Sequence, residues 1–209
     1  MALVRRTAEE VEDVAEPAHH DVEWLARRLH DADPEIRRQA AIDLHGHPET
    51  GAALVAAVAV EDEPTVRDAL LTTLAGFDSA EVAAELVLLL KQEDASLRTA
   101  VGDCLVAMPD CAPVVLPGLL ADPDPDVRIR AVMVVKELPT SDPLSRRLEE
   151  LASFDEVENV VAAAVEALYE LDAVGLLPTA ELAARRFPAN PYLQHLESAV
   201  RAQQSEPVR

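Results

Sequence analysis

The chain has few of the residues that bend or staple most folds. Only six of its 209 residues are aromatic (Trp24, Phe77, Phe154, Tyr169, Phe187 and Tyr192), and only six are glycine. So few glycines exclude an all-β protein with many tight turns. So few aromatics leave Leu, Val, Ile and Ala to build the interior, a composition suited to closely approaching helices. The two cysteines, Cys104 and Cys111, stand in a C-x6-C arrangement outside the usual zinc spacings. They read as reduced cytosolic thiols that pack as small apolar residues. No run approaches the ~20 apolar residues of a membrane span. The stretch from Met1 to Pro17 carries Arg5 and Arg6 but no apolar core, so it does not read as a signal peptide. The expected location is cytoplasmic.

Positive charge is scarce too. Eighteen Lys and Arg stand against 39 Asp and Glu, for a net charge of −21, and Lys91 and Lys136 are the only lysines. Such a surface repels phosphate, which argues against double-helical nucleic acid and anionic membranes as partners. A basic protein or peptide is the natural complement, while solubility in a salt-adapted cytoplasm explains the charge equally well. What the chain does have is aliphatic mass: 49% of residues are hydrophobic, too many for a disordered chain. At this length roughly 70% of the surface is buried on folding. The class these features define is all-α.

One pattern recurs along the chain: an acidic turn, often with Pro, then an aliphatic residue, then Arg. It reads Asp33-Pro34-Glu35-Ile36-Arg37, Glu63-Pro64-Thr65-Val66-Arg67, Asp94-Ala95-Ser96-Leu97-Arg98 and Asp124-Pro125-Asp126-Val127-Arg128. A weaker fifth copy, Asp155 to Val160, has Val161 in place of Arg. From Ile36 to Val66, Leu97, Val127 and Val160 the steps are 30, 31, 30 and 33 residues. The acid suits the free N–H groups of a helix start, and Pro at the first helical position gives up an N–H that lacks a partner anyway. Apolar or small residues then fall at +4, +5 and +8 from the aliphatic residue, on one helix face. A first helix precedes each copy, at roughly Val22–His30, Thr50–Val60, Ser79–Lys91, Ala112–Leu120 and Pro143–Ser153. Helix pairs of this kind bury their faces only by stacking.

The expected organisation is an acidic segment or capping helix over 1–20, a repeat array over 21–171, capping helices over 172–204 and a loose tail over 205–209. Within the cap, helices are expected near Thr179–Arg186 and Pro191–Gln203. Ten to twelve helices and no sheet follow from this reading.

The turn followed by Val-Arg-x-x-Ala-Ala-x-x-Leu resembles HEAT repeats, in the short variety of about 30 residues found in the phycobilin-lyase HEAT-like family. The resemblance covers Asp21 to Leu171 and implies a right-handed α-solenoid of about five helix pairs. It also implies that the pairs Asp33/Arg37, Glu63/Arg67, Asp94/Arg98 and Asp124/Arg128 lock one repeat onto the next. A second implication is functional: a chromophore-lyase subunit or a chaperone for cofactor attachment, with Cys104 or Cys111 as the thiols to test.

Motifs for chemistry are sparse. Asp122-Pro-Asp124-Pro-Asp126 spaces carboxylates like the opening of an EF-hand, but Val127 and Met133 stand where that loop needs Gly and Glu. It reads as a helix-capping turn. His45-Gly46-His47, with Asp43, Glu49 and His30 nearby, specifies no metal geometry, and His19-His20 specifies less. No His precedes Glu, as the HEAT-like iron hydroxylases would require, and the charge opposes the basic groove of the HEAT-like DNA glycosylases, although Arg38, Arg128 and Arg130 are local positive points. Neither a phosphate loop nor a nucleophile elbow is present. The reading is a non-catalytic adaptor or scaffold needing no metal and no cofactor.

Surface remains. The second helix of each pair is expected to line the concave side, with positions +2 and +6 pointing outward. These are Arg38/Ile42, Asp68/Thr72, Thr99/Asp103, Ile129/Met133 and Ala162/Glu166. Ile129 and Met133, apolar where solvation favours charge, are the expected anchors for a partner segment, steered by Asp103 and Glu166.

Overall fold

At three of the second helices an acid at the turn starts the helix by accepting a backbone N–H. In the computed structural model, which describes residues 21–139 and 142–205, the Glu35 amide donates to Asp33 Oδ1 at 2.9 Å, Ser96 to Asp94 at 2.8 Å and Asp126 to Asp124 at 2.9 Å. Twelve α-helices result among the described residues, with no strand. The first helices of the pairs are α1 (Val22–Arg28), α3 (Gly51–Val58), α5 (Ala80–Leu89), α7 (Ala112–Leu120), α9 (Asp142–Phe154) and α11 (Leu177–Arg186). The second helices are α2 (Pro34–Asp43), α4 (Pro64–Ala75), α6 (Ala95–Val106), α8 (Pro125–Glu137), α10 (Glu158–Glu170) and α12 (Pro191–Ser205). The expected segment over 1–20, with His19 and His20, and the tail beyond Ser205 lie outside the described residues.

Each first helix packs on its own second helix, α3 to α11 pack in succession as one layer, and α2 to α12 as the other. The interior is one continuous cluster between the layers. It takes the stripe read from the pattern: Val66, Leu70, Leu71 and Leu74, then Leu97, Val101 and Leu105, then Val127, Ala131, Val132 and Val135, are all buried. Ile36 is only half-buried, because α2 belongs to the first described pair. The helix expected from Thr50 begins instead as a 3-10 turn, Pro48–Thr50, after Gly46 reverses the chain at φ 90°. Gly51 marks the closest approach of α3 to α5. A β-carbon there would stand 2.7 Å from Val82 Cγ2, inside van der Waals contact.

The turn arginines do lock neighbouring repeats, but not through the acids four residues before them. Asp33, Asp94 and Asp124 cap their own helices, whereas Glu63 makes no cap bond and accepts from the Thr65 hydroxyl. Arg37 reaches forward to Glu61 in the next turn, Nε and Nη2 each donating at 2.8 Å. Arg128 does the same to Asp155, at 2.8 and 3.0 Å. Their remaining nitrogen, Nη1, holds the turn's own carbonyls: Asp31 and Ala32 for Arg37, Asp122 and Pro123 for Arg128. The receiving carboxylate also accepts the amide two residues on, Glu63 at Glu61 and Val157 at Asp155. Where the equivalent position is Gln92, Arg67 turns to Asp94 at a looser 3.5 Å. The acids four residues back are already engaged in their own turns, Asp33, Asp94 and Asp124 each accepting the amide two residues on, while the free edge of Arg37 and of Arg128 faces the next turn. The fifth repeat lacks the arginine, and Arg186 of α11 supplies the missing donors to the carbonyls of Ser153 and Asp155.

These pairs make stability depend on pH. Glu61 is held below its usual 4.5, first by hydrogen bonds from Arg37, and Asp122 below its usual 3.8, first by Lys91. A carboxyl depressed on folding stabilises above its unfolded pKa and loses that contribution as pH falls through the folded value. Thermal melts of the wild-type chain should therefore drop increasingly below about pH 4.5. Glu61→Gln should start lower at pH 7 and lose less on acidification. Parallel curves for the two proteins between pH 6 and 3 would show that the Arg37 pair is not a source of the dependence.

Candidate functional site

The buried stripe of a second helix leaves a definite outward face. At about 100° per residue, position +6 lies opposite the middle of the stripe, and +2 and +3 flank it on either side. Ile42, Asp68, Thr72, Thr99, Asp103 and Met133 are exposed, with Ile42 at 41% and Met133 at 56%. Others depart from expectation. Ile129 is half-buried, on the flank of α8 away from α6, and Ala162 is buried at the corresponding place on α10, where α12 packs. Arg38 is held by Glu35 in the first turn of α2, and Glu166 accepts the Tyr192 hydroxyl of α12. Ile129 is thus partly covered and Glu166 is engaged, and both lie outside the groove between α6 and α8.

Between α6 and α8 the outward faces form an open groove of about 490 Å³. It brings together three of the expected residues, Thr99, Asp103 and Met133, with Val106 and Val134 as further apolar wall. It also contains residues that the +2 and +6 columns missed: Arg98, Arg130, Lys136 and Glu137. The signal for Arg130 was in the pattern, since +3 flanks the outward centre as closely as +2 does. Gly102 also lines the groove, and a β-carbon there would meet Val134 Cγ2 at 3.5 Å, an ordinary contact. Arg38, Ile42, Asp68 and Thr72 belong to the face of α2 and α4, outside this groove.

Arg98 stands in the same pose as Arg37 and Arg128, its Nη1 on the carbonyls of Gln92 and Glu93. The carboxylate that would complete its fork, Asp122, is engaged by Lys91 Nζ at 2.6 Å. Among the described residues Arg98 Nε and Nη2 therefore make no hydrogen bond. Arg130 is similar: its Nη1 donates to the Leu90 carbonyl at 2.9 Å, and its other two nitrogens have no partner there. Lys136 is tied to Glu170 at 3.1 Å.

The thiols are structural. Cys104 is buried and donates to the Leu71 carbonyl at 3.4 Å, as Thr73, seven residues after its own aliphatic position, donates to Ala41 at 2.8 Å. Burial pushes the Cys104 thiol up to about 12. Cys111 donates to the Asp78 carbonyl at 2.8 Å and is also raised, by burial first and then by the Asp78 side chain. A thiol held protonated is a poor nucleophile at neutral pH. The histidines are scattered: His47 faces Glu49 at 3.2 Å, and His45 lies against Gly76. The Asp122–Asp126 turn spends its carboxylates on the Asp124 and Asp126 amides and Lys91.

Fold and groove together define the class: a helical repeat protein of HEAT-like layout, stacked helix pairs presenting one open face of second helices. No family model and no curated protein matches the chain. Among solved structures it is similar to the complex of CpcE and CpcF of phycocyanin lyase from Nostoc sp. PCC7120, at 14% identity and a TM-score of 0.38, over 93% of this chain and 99% of that one. It is similar as well to two engineered proteins, at 18% and 17% identity with TM-scores of 0.39 and 0.37, over 86% of this chain and 94% and 96% of theirs. Likenesses at this level assign no activity and no partner; the repeat architecture is read from the chain's own packing.

Proposed function

We propose that the chain is a non-catalytic adaptor that holds a segment of a partner protein in the groove between α6 and α8. One observation carries the reading: Met133, 56% exposed, lines the groove together with Val106 and Val134 on a face where the repeat needs no hydrophobe. An apolar floor with charged edges suits a protein segment, and methionine adapts to the side chain it meets. The lyase-related reading finds less support, because both thiols are held protonated by their surroundings.

The test is capture from a lysate by the wild-type chain and by Met133→Asp, at physiological and at high salt. An aspartate at this exposed position should leave the fold intact, within about 0.5 kcal/mol. Proteins held by the groove should be retained by the wild type and lost by the variant. Identical capture by both would place any binding elsewhere.

A further inference from the structure

The groove carries its charges at opposite ends, and this deepens the adaptor reading on which it rests. We infer that the occupant is a segment bearing an acidic side chain, then an aliphatic one, then a basic one, laid in a single chain direction along α6 and α8. The acidic end is set by Arg98 and Arg130. Both are half-buried, each is anchored through Nη1 to carbonyls at the end of α5 or just beyond it, and each leaves Nε and Nη2 without a hydrogen bond among the described residues. In Arg37 and Arg128 that same edge holds a carboxylate in a two-bond fork. Arg98 is the one copy whose fork the fold leaves empty, because Lys91 has taken Asp122. A pre-oriented, partly desolvated guanidinium edge is a carboxylate receptor: the side-chain ordering is already done, and the planar pair of donors matches two carboxylate oxygens.

The other end is acidic on balance, with Lys136 there paired to Glu170 beside Asp103 and Glu137. Asp103 lies five residues beyond Arg98 on α6 and Glu137 seven beyond Arg130 on α8. At a rise of 1.5 Å per residue these are separations of about 7 and 10 Å. An extended segment covers about 10 Å in three residues, so its acid and base stand about three positions apart with the aliphatic side chain over Met133. Phosphate also fits paired guanidiniums, but Asp103, Glu137 and a net charge of −21 oppose a polyanion along the rest of the groove. The sequence alone pointed to a basic or mixed-charge segment; the groove asks for an acid at one end.

The experiment is selection of displayed random twelve-residue peptides on the full chain, followed by titration of the enriched peptides in solution. The expected motif is Asp or Glu, an aliphatic residue, then Lys or Arg within about four positions, with affinity falling about tenfold or more in Arg98→Gln/Arg130→Gln. Charge reversal separates recognition from folding. Arg98→Glu/Arg130→Glu should lose the selected peptides and bind the same peptides with Lys in place of the acid, which a merely unfolded variant cannot do. Peptides that depend on Met133 but lack an acid, or ignore both arginines, overturn this inference and leave the adaptor reading standing. If no enriched peptide depends on Met133, Arg98 or Arg130, both fail. Displacement of the peptides by free glutarate at equal affinity would make the receptor one for small acids. Concentration-dependent self-association abolished by the arginine variants would put a second copy there. Either result overturns the proposal.

Discussion

Leu97→Ala should destabilise the chain by about 2–5 kcal/mol, whereas Thr99→Ala, two residues along the same helix, should cost less than about 0.5 kcal/mol. Leu97 is 4% exposed and belongs to the continuous core, and α6 is packed on both sides by α4 and α8. Truncation there removes apolar contact and leaves a space that helices held from two directions cannot close. Thr99 is exposed, and its hydroxyl merely donates back to the Ala95 carbonyl at 3.0 Å, a bond of little net value on a helix surface. Urea denaturation of the two variants checks the pair. Equal midpoints would mean that the inward and outward faces of α6 have been confused, and the groove would fall with them.

Asp155→Ala should cost about 3 kcal/mol or more, the second large effect. Asp155 and Arg128 expose only 7% and 13% of their side chains, and the two-bond fork between them joins the fourth turn to the fifth. Removing the carboxylate leaves the guanidinium largely buried without its counter-charge, and strips the Val157 amide of its acceptor. Arg128→Met with Asp155→Leu should recover most of the loss, because two apolar side chains leave no charge to solvate. A double-mutant cycle by chemical denaturation measures the coupling. Single and double variants of equal stability would show that the loss comes from the cap at Val157 rather than from the ion pair. The same cycle on Arg98 and Asp122 should give almost no coupling, since Arg98 does not meet that carboxylate and Lys91 does.

Much of this was legible without coordinates, and the reasons are local. A helix start needs an acceptor, an aliphatic stripe has a 3.6-residue period, and a pair of amphipathic helices must stack; each leaves its mark within a few residues. Thus Asp33, Asp94 and Asp124 announced their helices, and Val66, Leu70, Leu71 and Leu74 announced a buried face. The candidate site was legible only in part. Met133 and Asp103 stood out because +6 lies opposite the stripe whatever the neighbours do. Ile129 and Glu166 stand apart from the groove because +2 and +6 acquire neighbours from other helices, and which flank is covered depends on the direction in which pairs stack. Asp155 and Arg186, 31 residues apart, meet at one turn, and nothing in either segment encodes the meeting.

The sequence by itself determined the helices, their pairing and the apolar stripe that joins them, because each follows from hydrogen bonding and periodicity within one repeat. Only the tertiary structure decided the charge and position of the groove. Arg98 shares the acid, aliphatic and arginine spacing of Arg37 and Arg128, yet its fork stays empty because Lys91, just beyond the preceding helix, reaches Asp122 instead. Both competitors stand more than 20 residues before Asp122, and only the stacking of one repeat on the next brings that carboxylate within reach.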